Sequence, residues 1–267
     1  MTTTISGTTG VAFILADPIA QVRTPQGLNG IWGERGVDVV MVPAHVTAEG
    51  LEAFLDGMRV NASCVGAVLT IPHKQAAVPF CDELGPGATA AGAVNVIRRR
   101  ADGTLYGETY DGRGFVAGLR DAGRDPEGVA AVVIGAGGAA SAVAAELLAA
   151  GVARLDIVNR SEQRAVELAE RLRELYPGRE IGVGTDRILD AGLVVNATSL
   201  GMSPDDPSPI DAELIPAGAL AADVIIRDDL TSFLRAAEAR GARVHGGRHM
   251  LNGQLGIIAD VLTEGRA

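Results

Sequence analysis

Short apolar runs rich in β-branched residues recur along this chain, separated by stretches with helical spacing. Neighbouring parallel strands need a crossover connection, which is usually a helix, so this alternation predicts parallel sheets covered by helices. The predicted fold class is therefore α/β. The runs are VAFILA (11–16), DVVMVP (38–43), CVGAVLT (64–70), VAAVVIG (129–135), RLDIV (154–158), LVVNAT (193–198) and ADVII (222–226).

The fourth run leads into a glycine pattern that is typical of dinucleotide-binding turns. Gly135, Gly137 and Ala140 form G-x-G-x-x-A directly before an Ala-rich helical stretch. The glycines allow a tight turn and close backbone approach, and the helix N-terminus offers N–H groups to a pyrophosphate. The alternative is a glycine-rich turn without a ligand. The predicted cofactor contacts are Gly135, Ala136, Gly137, Gly138 and Ala139.

The residues after the fifth run favour NADP over NAD. An NAD site commonly has an Asp or Glu there, which accepts hydrogen bonds from the ribose hydroxyls. This chain has Asn159-Arg160-Ser161 instead, with Arg164 one helical turn later. Two guanidinium groups and a hydroxyl suit a 2′-phosphate, although Arg164 as an ordinary exposed helix residue is the alternative.

Two domains are predicted for the 267 residues, with one large α/β unit as the alternative. Asp102-Gly103 predicts a hairpin, a helix capped by Asp111 follows, and the polar link 124–128 precedes the second series of runs. We expect an N-terminal α/β substrate domain with a mostly parallel sheet, a C-terminal Rossmann NADP-binding domain and a cleft between them. The predicted bounds are 1–110 with the C-terminal helix 247–267 for the first domain, and 111–246 for the second.

Composition excludes several classes of function. With 47% hydrophobic and 21% charged residues the chain is not disordered, and it has no apolar run long enough for a membrane helix. A net charge of −10 argues against a nucleic-acid partner. Cys64 and Cys81 are expected to be buried free thiols, and His45, His245 and His249 share no ligand spacing, so no metal is predicted. Because residues 1–10 also lack the features of a secretory leader, we expect a cytoplasmic protein.

The chain has 23 Lys and Arg residues, and only Lys74 is a lysine. Lys74 follows an apolar run, and α/β proteins place ligands at the C-terminal ends of parallel strands. Arg cannot replace a group that must release a proton, because its pKa stays above about 12. Paired with a carboxylate such as Asp111, Lys74 is expected to carry a proton to or from a hydroxyl whose carbon exchanges hydride with the nicotinamide. The alternatives are that Lys74 is a surface lysine and that Asp111 only caps a helix. The neighbouring His73 is expected to face solvent.

These motifs together resemble the shikimate and quinate dehydrogenases over nearly the whole chain. The matching segments are Asp17-Pro18-Ile19-Ala20, Thr24-Pro25 and Asn29, then Thr70, Pro72 and Lys74, Gly92 to Asn95, Gly107, Asp111, Gly112 and Gly114, Gly135 to Ala140, Asn159 to Ser161 with Arg164, Asn196 to Met202, and Met250-Leu251 with Gln254. The resemblance implies NADP-linked interconversion of a ring ketone and alcohol, with Lys74 and Asp111 as the catalytic pair. It also implies substrate contacts at Thr70, Asn95 and Gln254, and cofactor contacts at Asn196, Thr198, Ser199, Met202, Gly247 and Met250.

The chain departs from the family pattern on the substrate side. The S-x-S pair that holds the substrate carboxylate is replaced by Val22-Arg23-Thr24, an expected Asn by Val68, and an expected Tyr by Ile226. A carboxylate or hydroxyl left unpaired against Val22 or Val68 costs about 1–3 kcal/mol, or tenfold or more in binding. Arg23 is expected to take over as a carboxylate clamp, with a solvent-facing arginine as the alternative.

We therefore predict an NADP-dependent dehydrogenase for a shikimate-like alicyclic hydroxy acid that is a poor enzyme on shikimate itself. The alternatives are shikimate or quinate dehydrogenase proper, in aromatic amino acid biosynthesis or quinate metabolism, and a non-catalytic sensor on the same fold. A folate or aminoacyl-tRNA-linked reductase is a remote third reading. The expected partner is a small alicyclic hydroxy acid, with no nucleic acid and no membrane, and the chain is expected to be a monomer or homodimer.

Overall fold

The computed structural model describes residues 5–265, so residues 1–4, 266 and 267, which the predicted domain bounds include, lie outside the described residues. The chain divides into two compact units. One comprises the residues up to Tyr110 together with those from Gln254 onwards, and the other is Asp111–Gly253. The later division falls between Gly253 and Gln254, inside the final helix α9 (Arg248–Thr263), whereas the predicted bound is residue 247.

The first unit contains a six-stranded mixed sheet. Besides the last residues of α9, the elements of this unit are β1 (Gly10–Ala16), α1 (Thr24–Arg35), β2 (Val39–His45), α2 (Leu51–Val60), β3 (Cys64–Leu69), α3 (His73–Ala76), β4 (Glu83–Leu84), α4 (Pro86–Ala91), β5 (Val96–Arg99) and β6 (Leu105–Glu108). The strand order is β2-β1-β3-β5-β6-β4, with β1, β2 and β3 parallel. The predicted hairpin is confirmed as the antiparallel pair β5 and β6, and its turn uses the positive φ of +88° at Gly103.

Two apolar clusters cover the two faces of this sheet. Ile14 packs in one cluster with Trp32 and Ile258, while its neighbour Leu15 packs in the other with Leu69. This alternation follows from the two-residue period of a strand. The C-terminal part of α9 packs in this unit, as the sequence predicts, since the indole Nε1 of Trp32 donates to the carbonyl of Ala259 at 3.3 Å.

Strand β2 is one of the two edges of the sheet, and a side chain from α1 covers its middle. The Asn29 amide donates to the carbonyl of Met41 at 3.0 Å, and its oxygen accepts from the Met41 N–H at 2.7 Å. Two residues later along the strand is Pro43, which has no N–H. Asn29 therefore supplies the hydrogen bonds that a neighbouring strand would otherwise make to Met41.

The second unit contains a six-stranded parallel sheet with helices between its strands. Besides the first residues of α9, its elements are α5 (Asp111–Asp121), β7 (Ala130–Ile134), α6 (Gly138–Ala149), β8 (Arg154–Val158), α7 (Glu162–Leu175), β9 (Glu180–Val183), β10 (Leu193–Asn196), β11 (Leu220–Asp223), α8 (Ser232–Ala239) and β12 (Arg243–His245). The order is β12-β11-β10-β7-β8-β9. Strands β8 and β9 are added on one side of β7, and β10 to β12 on the other, so the strand order reverses between β7 and β10. Open α/β sheets bind ligands at the carboxyl ends of the strands beside such a switch point.

Several element boundaries differ from the predictions. The strand expected over 222–226 is Leu220–Asp223, and Ile226 lies beyond it with 40% of its surface exposed. The strand expected over 193–198 ends at Asn196. Strands β4, β9 and β12 were not predicted, because they are short and carry charged or polar residues in place of an apolar run. Helix α5 begins at Asp111 itself, which places this carboxylate in the first turn.

The structure also bears on metals and membranes. Across residues 5–265, no three His, Cys, Asp or Glu side chains are grouped to hold a metal ion. Within the same range, the helices are too short or too polar to cross a bilayer.

Cys64 is a buried free thiol, as predicted, whereas Cys81 is a free thiol that is only partly buried. Burial raises the pKa of the Cys81 thiol to about 11, so this cysteine stays protonated at neutral pH.

Candidate functional site

The carboxyl ends of β1, β2 and β3 in the first unit carry loops that hydrogen-bond to one another. The backbone N–H of Asp17 donates to the carbonyl of Ile71 at 3.1 Å, and that of Thr70 donates to Leu15 at 3.0 Å. The Asp17 carboxylate lies 2.8 Å from Nε2 of His45, at the end of β2. These contacts fix the segment that begins at Asp17 against the segment that carries Lys74. The sequence offered no signal for the Asp17–His45 contact.

Lys74 lies in the short helix α3, directly after Pro72 and His73. Its carbonyl accepts from the N–H of Val94 at 2.8 Å. The prediction that His73 faces solvent is wrong, since the residue is 0% exposed. Its Nε2 lies 2.8 Å from the carbonyl of Val46. Because a carbonyl only accepts, Nε2 carries the proton and is satisfied, whereas Nδ1 is buried with no hydrogen-bond partner among the described residues.

Two amide side chains meet beside Lys74 in the same unit. Asn95 and Gln254 are 2% and 6% exposed, and the Asn95 amide donates to Oε1 of Gln254 at 3.0 Å. The Asn95 Oδ1 accepts from the N–H of Tyr110 at 2.8 Å, and its carbonyl accepts from Leu69. The structure therefore brings together four residues that were predicted for the site. They are Thr70, Lys74, Asn95 and Gln254.

The substituted substrate-side positions present apolar surface. Val68 is 6% exposed on β3 and belongs to the apolar cluster of Ile14, against which Val22 also packs. Arg23 is exposed, with Nη1 at 3.5 Å from the carbonyl of Val22, and both line an open surface pocket of about 510 Å³. Thr24 is buried at the first residue of α1. At neither Val22 nor Val68 does the side chain offer a hydrogen-bonding group.

The glycine loop of the second unit has the geometry that a pyrophosphate needs. Gly135 has a φ of +123°, and a β-carbon there would lie 2.9 Å from the carbonyl of Ala197, so only glycine fits. A β-carbon on Gly137 would meet no atom within 4 Å, so the space beside this turn is open. Within the described part of the chain, no side chain caps the first turn of α6, whose N-cap is Gly137. The residues present fit the dinucleotide that the sequence predicts.

Basic residues follow β8 close to this loop. Arg160, Ser161 and Arg164 are all exposed, and the Arg164 guanidinium donates to the carbonyl of Ala136 at 3.4 Å. The Asn159 amide donates to the carbonyl of Ser161 at 2.9 Å and so holds the turn between β8 and α7. The structure thus brings the predicted phosphate-binding residues next to the glycine loop.

The loop after β10 is organised by Asn196. Its Oδ1 accepts from the N–H and the hydroxyl of Thr198, at 3.1 and 2.7 Å, and its amide donates to the carbonyl of Leu200 at 2.9 Å. Ser199 and Met202 are exposed on this loop. The three polar contacts of Asn196 give the loop a defined shape.

The remaining predicted residues of the second unit are buried. Asp111 is 2% exposed, and a β-carbon on Gly112 would lie 2.2 Å from the carbonyl of Ala142, so α5 packs directly on α6. Gly247 is buried, and a β-carbon there would lie 2.5 Å from the carbonyl of Ile225. Met250 is 6% exposed at the start of α9.

Sequence reasoning missed two buried titratable groups in this unit. Asp223 ends β11 and is 0% exposed, and its signal was a carboxylate inside the apolar run ADVII. His245 ends β12 and is 3% exposed, with its ring stacked on that of His249 at 4.3 Å between centroids. Burial, with smaller contributions from His249 and Arg124, lowers the pKa of His245 to about 4.

His245 is expected to make the protein sensitive to acid. Its pKa in the folded state lies below the unfolded value of about 6.5, so the unfolded chain binds more protons between these two values. The stability that depends on neutral His245 is therefore lost as the pH falls from about 6.5 to 4, by about 3 kcal/mol. His245→Phe keeps an aromatic ring and should remove this loss, which urea unfolding at pH 7 and pH 4.5 would measure.

The matched control is His45→Phe, at a half-exposed histidine of the other unit. It should retain the difference in unfolding free energy that the wild type has between the two pH values. An unchanged difference in His245→Phe would contradict the assignment to His245.

Comparisons with known proteins cover nearly the whole chain. The model of the shikimate dehydrogenase substrate binding domain matches residues 14–97, and that of shikimate / quinate 5-dehydrogenase matches residues 121–200. A shikimate dehydrogenase (NADP(+)) of Rubrobacter xylanophilus is 38% identical over 251 residues, which are 92% of this chain and 88% of the relative.

Solved structures of similar fold include a shikimate dehydrogenase as well. The crystal structure of shikimate 5-dehydrogenase from Thermus thermophilus, in complex with NADP(H) and shikimate, has a TM-score of 0.84 and 33% identity, with coverage of 96% of this chain and 94% of that one. The ligand-free 5-ketofructose reductase of Gluconobacter sp. strain CHM43 has a TM-score of 0.82 and 29% identity, with coverage of 97% and 94%. The predicted two-domain α/β fold is thereby confirmed.

Proposed function

The chain belongs to the shikimate/quinate dehydrogenase family, and we propose that its substrate is an alicyclic hydroxy acid other than shikimate. It is an NADP-dependent oxidoreductase that acts on a CH–OH group. The observation that carries the proposal is the combination of a retained set of polar residues, Lys74, Asn95 and Gln254, with apolar side chains at Val22 and Val68. The chemistry of the family is expected to be preserved while recognition of the ring differs.

Lys74 and Asp111 are the residues to which we assign proton transfer. NADP, when bound, supplies or accepts the hydride at the reacting carbon. In the direction of reduction, the Lys74 ammonium donates a hydrogen bond and then a proton to the ketone oxygen, and in oxidation its amine accepts the hydroxyl proton. Asp111 is assigned as the second member of the pair on chemical grounds, because a carboxylate is the group that stabilises the charge of an ammonium. An arginine in place of Lys74 would not release the proton, because its pKa is too high.

Asn95 and Gln254 are assigned to binding and orienting the substrate. The Asn95 amide already donates to Oε1 of Gln254, which fixes the orientation of the second amide and leaves its N–H groups as donors for a ring hydroxyl. Both side chains are almost completely buried, so their orientations are set before the substrate arrives. Thr70 contributes a hydroxyl at the end of β3, close to this pair.

The apolar positions argue against efficient turnover of shikimate. A ligand hydroxyl or carboxylate that meets Val22 or Val68 loses its hydrogen bonds to water without replacement, at about 1–3 kcal/mol for each unpaired group. We propose that Arg23 binds the carboxylate of the true substrate, since it is exposed and lines the pocket beside Val22.

A second candidate is a keto sugar or cyclic polyol without a carboxylate. The loss of the serine hydroxyl at Val22 favours it, because a substrate without a carboxylate does not need that hydroxyl. The fold also occurs in a 5-ketofructose reductase at 29% identity. In this case Arg23 would remain a solvent-facing residue.

Steady-state kinetics with NADP and NAD test the proposal, with shikimate, quinate, related cyclic hydroxy acids and 5-ketofructose as substrates. We expect NADP to be preferred and another cyclic acid to exceed shikimate in kcat/KM at least tenfold. Shikimate turnover at a kcat/KM of about 10⁴ M⁻¹s⁻¹ or more, unmatched by any other acid, would contradict the altered substrate. Binding of a ring acid without any NADPH consumption would identify a sensor in place of an enzyme.

A further inference from the structure

Asp223 is a buried carboxylate that the proposed chemistry does not use. It is the last residue of β11, 0% exposed, and lies opposite Asn196, the last residue of β10. Its Oδ2 accepts from the hydroxyl of Thr231 at 2.7 Å and from the amide of Asn196 at 3.3 Å. Its Oδ1 accepts from the N–H of Ile225 at 2.8 Å. All three of these donors are neutral groups.

These contacts connect two loops. The loop 197–202, which we call the cofactor loop, contains predicted NADP contacts and is shaped by Asn196. The loop 224–230, which we call the adjacent loop, begins beside Asp223 and carries Ile226. The N–H of Val224 donates to the carbonyl of Asn196 at 3.1 Å, so the two loops leave the sheet side by side.

A second contact joins the loops away from the sheet. The guanidinium of Arg227, in the adjacent loop, donates to the carbonyl of Met202 at 3.1 Å. It also forms a two-pronged ion pair with Asp229, with both distances at 2.8 Å. The loops are therefore tied together at the strand ends by Asp223 and further out by Arg227.

We propose that Asp223 is a positioning residue that holds the cofactor loop and the adjacent loop in one arrangement and thereby sets the affinity for NADP. The inference rests on the proposed function, because it assumes that the cofactor loop contacts NADP. Asp223 itself acts through Asn196 and Thr231. Thr231 is the N-cap of α8, where its hydroxyl oxygen accepts from the N–H of Leu234. Asp223 thus also sets where the adjacent loop ends.

The energetics of Asp223 favour a functional role over a stabilising one. Burial raises the pKa of Asp223 to about 6, even though its three hydrogen bonds act in the opposite direction. Its folded-state pKa lies above the unfolded value, so between about pH 4 and 6 the folded chain binds more protons. The contribution of this group to stability therefore falls as the pH rises through that window. At pH 8 the folded protein is therefore less stable than it would be with Asp223 protonated.

Asp223→Asn breaks one of the three contacts selectively. The Asn oxygen still accepts from the N–H of Ile225, and its amide can donate to the hydroxyl of Thr231. The same amide, however, faces the amide of Asn196, and two N–H groups cannot bond to each other. At pH 8 we expect the Kd for NADPH and the KM for NADP to rise at least tenfold, with kcat reduced less and Tm unchanged or higher.

Two further variants test whether the link to Asn196 is responsible. Reversal of the pair, Asn196→Asp with Asp223→Asn, restores a donor opposite an acceptor but removes the amide that bonds the carbonyl of Leu200, so it should recover only part of the NADPH affinity. Thr231→Ser keeps the hydroxyl and should behave like the wild type, whereas Thr231→Val should bind NADPH more weakly. Equal affinities in Thr231→Ser and Thr231→Val, together with no recovery in the reversed pair, would overturn the proposal.

Asp156→Asn is the matched control, at another buried carboxylate of the same unit. Asp156 is 3% exposed on β8 and is ion-paired with Arg154 and Arg187, so its replacement should lower Tm without changing the Kd for NADPH. If Asp223→Asn and Asp156→Asn lower Tm and weaken NADPH binding alike, Asp223 is only structural. NADPH titration of the wild type without substrate distinguishes failure of the proposed function from failure of this inference. No binding overturns the proposed function, and equal binding by wild type and Asp223→Asn overturns this inference alone.

Discussion

Replacement of Lys74 by alanine is expected to lower kcat by a factor of about 10²–10⁴, the range typical of a lost general acid–base group. The Kd for NADPH should stay within about twofold of the wild type, because the predicted dinucleotide contacts lie in the second unit and Lys74 lies in the first. Lys74→Arg should be nearly as inactive, since the guanidinium keeps the charge but does not release a proton at accessible pH. Stopped-flow or steady-state assays on the best substrate, with NADPH titration alongside, measure both effects.

Arg35→Ala is the matched control for this experiment. Arg35 is a half-exposed cation of the same unit, paired with Asp260 at the surface, and its loss should leave kcat unchanged. Full activity in Lys74→Ala would contradict the assignment of proton transfer to Lys74. Rescue of Lys74→Ala by added small primary amines would support it, because the missing group is then supplied from solution.

Restoration of polar groups at the two apolar positions is expected to raise activity on shikimate. Val22→Ser with Val68→Asn adds a hydroxyl and an amide where the family pattern has them, and each should increase kcat/KM for shikimate about tenfold. The two together should give up to about a hundredfold if their effects add. Val68 is packed in an apolar cluster, so Val68→Asn should also lower the free energy of unfolding without ligand by about 1–3 kcal/mol.

The controls for this pair are Val22→Ala and Val68→Ala, which create space without adding a hydrogen-bonding group. They should leave kcat/KM for shikimate at or below the wild-type value. If the alanine variants gain as much as Ser and Asn do, the limitation is steric and the hydrogen-bond argument fails. If no variant gains, shikimate is excluded by some feature other than Val22 and Val68.

The local features of this fold were accessible from sequence because each depends on residues that are close along the chain. The hairpin at Asp102-Gly103 needs a turn that tolerates positive φ, and the loop at Gly135 needs a position where a β-carbon does not fit. Both were predicted from a few neighbouring letters. Lys74, in the short helix after β3, was likewise marked by the strand that precedes it, which is buried along its length.

What sequence reasoning missed depends on contacts between distant segments. The buried ring of His73 is hydrogen-bonded to the carbonyl of Val46, which lies in a different loop. No residue near His73 in the sequence indicates this contact. The Asn95–Gln254 pair joins residues that are 159 positions apart. Both amides were predicted for the site from the family resemblance, but their mutual hydrogen bond requires the fold. The edge strand β9 was missed because it contains Glu180 and Gly182 in place of an apolar run.

The hydrogen bonds of Asn29 along β2 have a consequence for self-association. An unprotected edge strand is a template onto which another chain can add a strand, and proteins block it with prolines, side chains or bulges. Here the Met41 backbone is already bonded to Asn29, and Pro43 has no N–H to offer. A second copy of this chain therefore cannot extend the sheet through the middle of β2, and neither can an extended peptide. A homodimer would have to form through another surface.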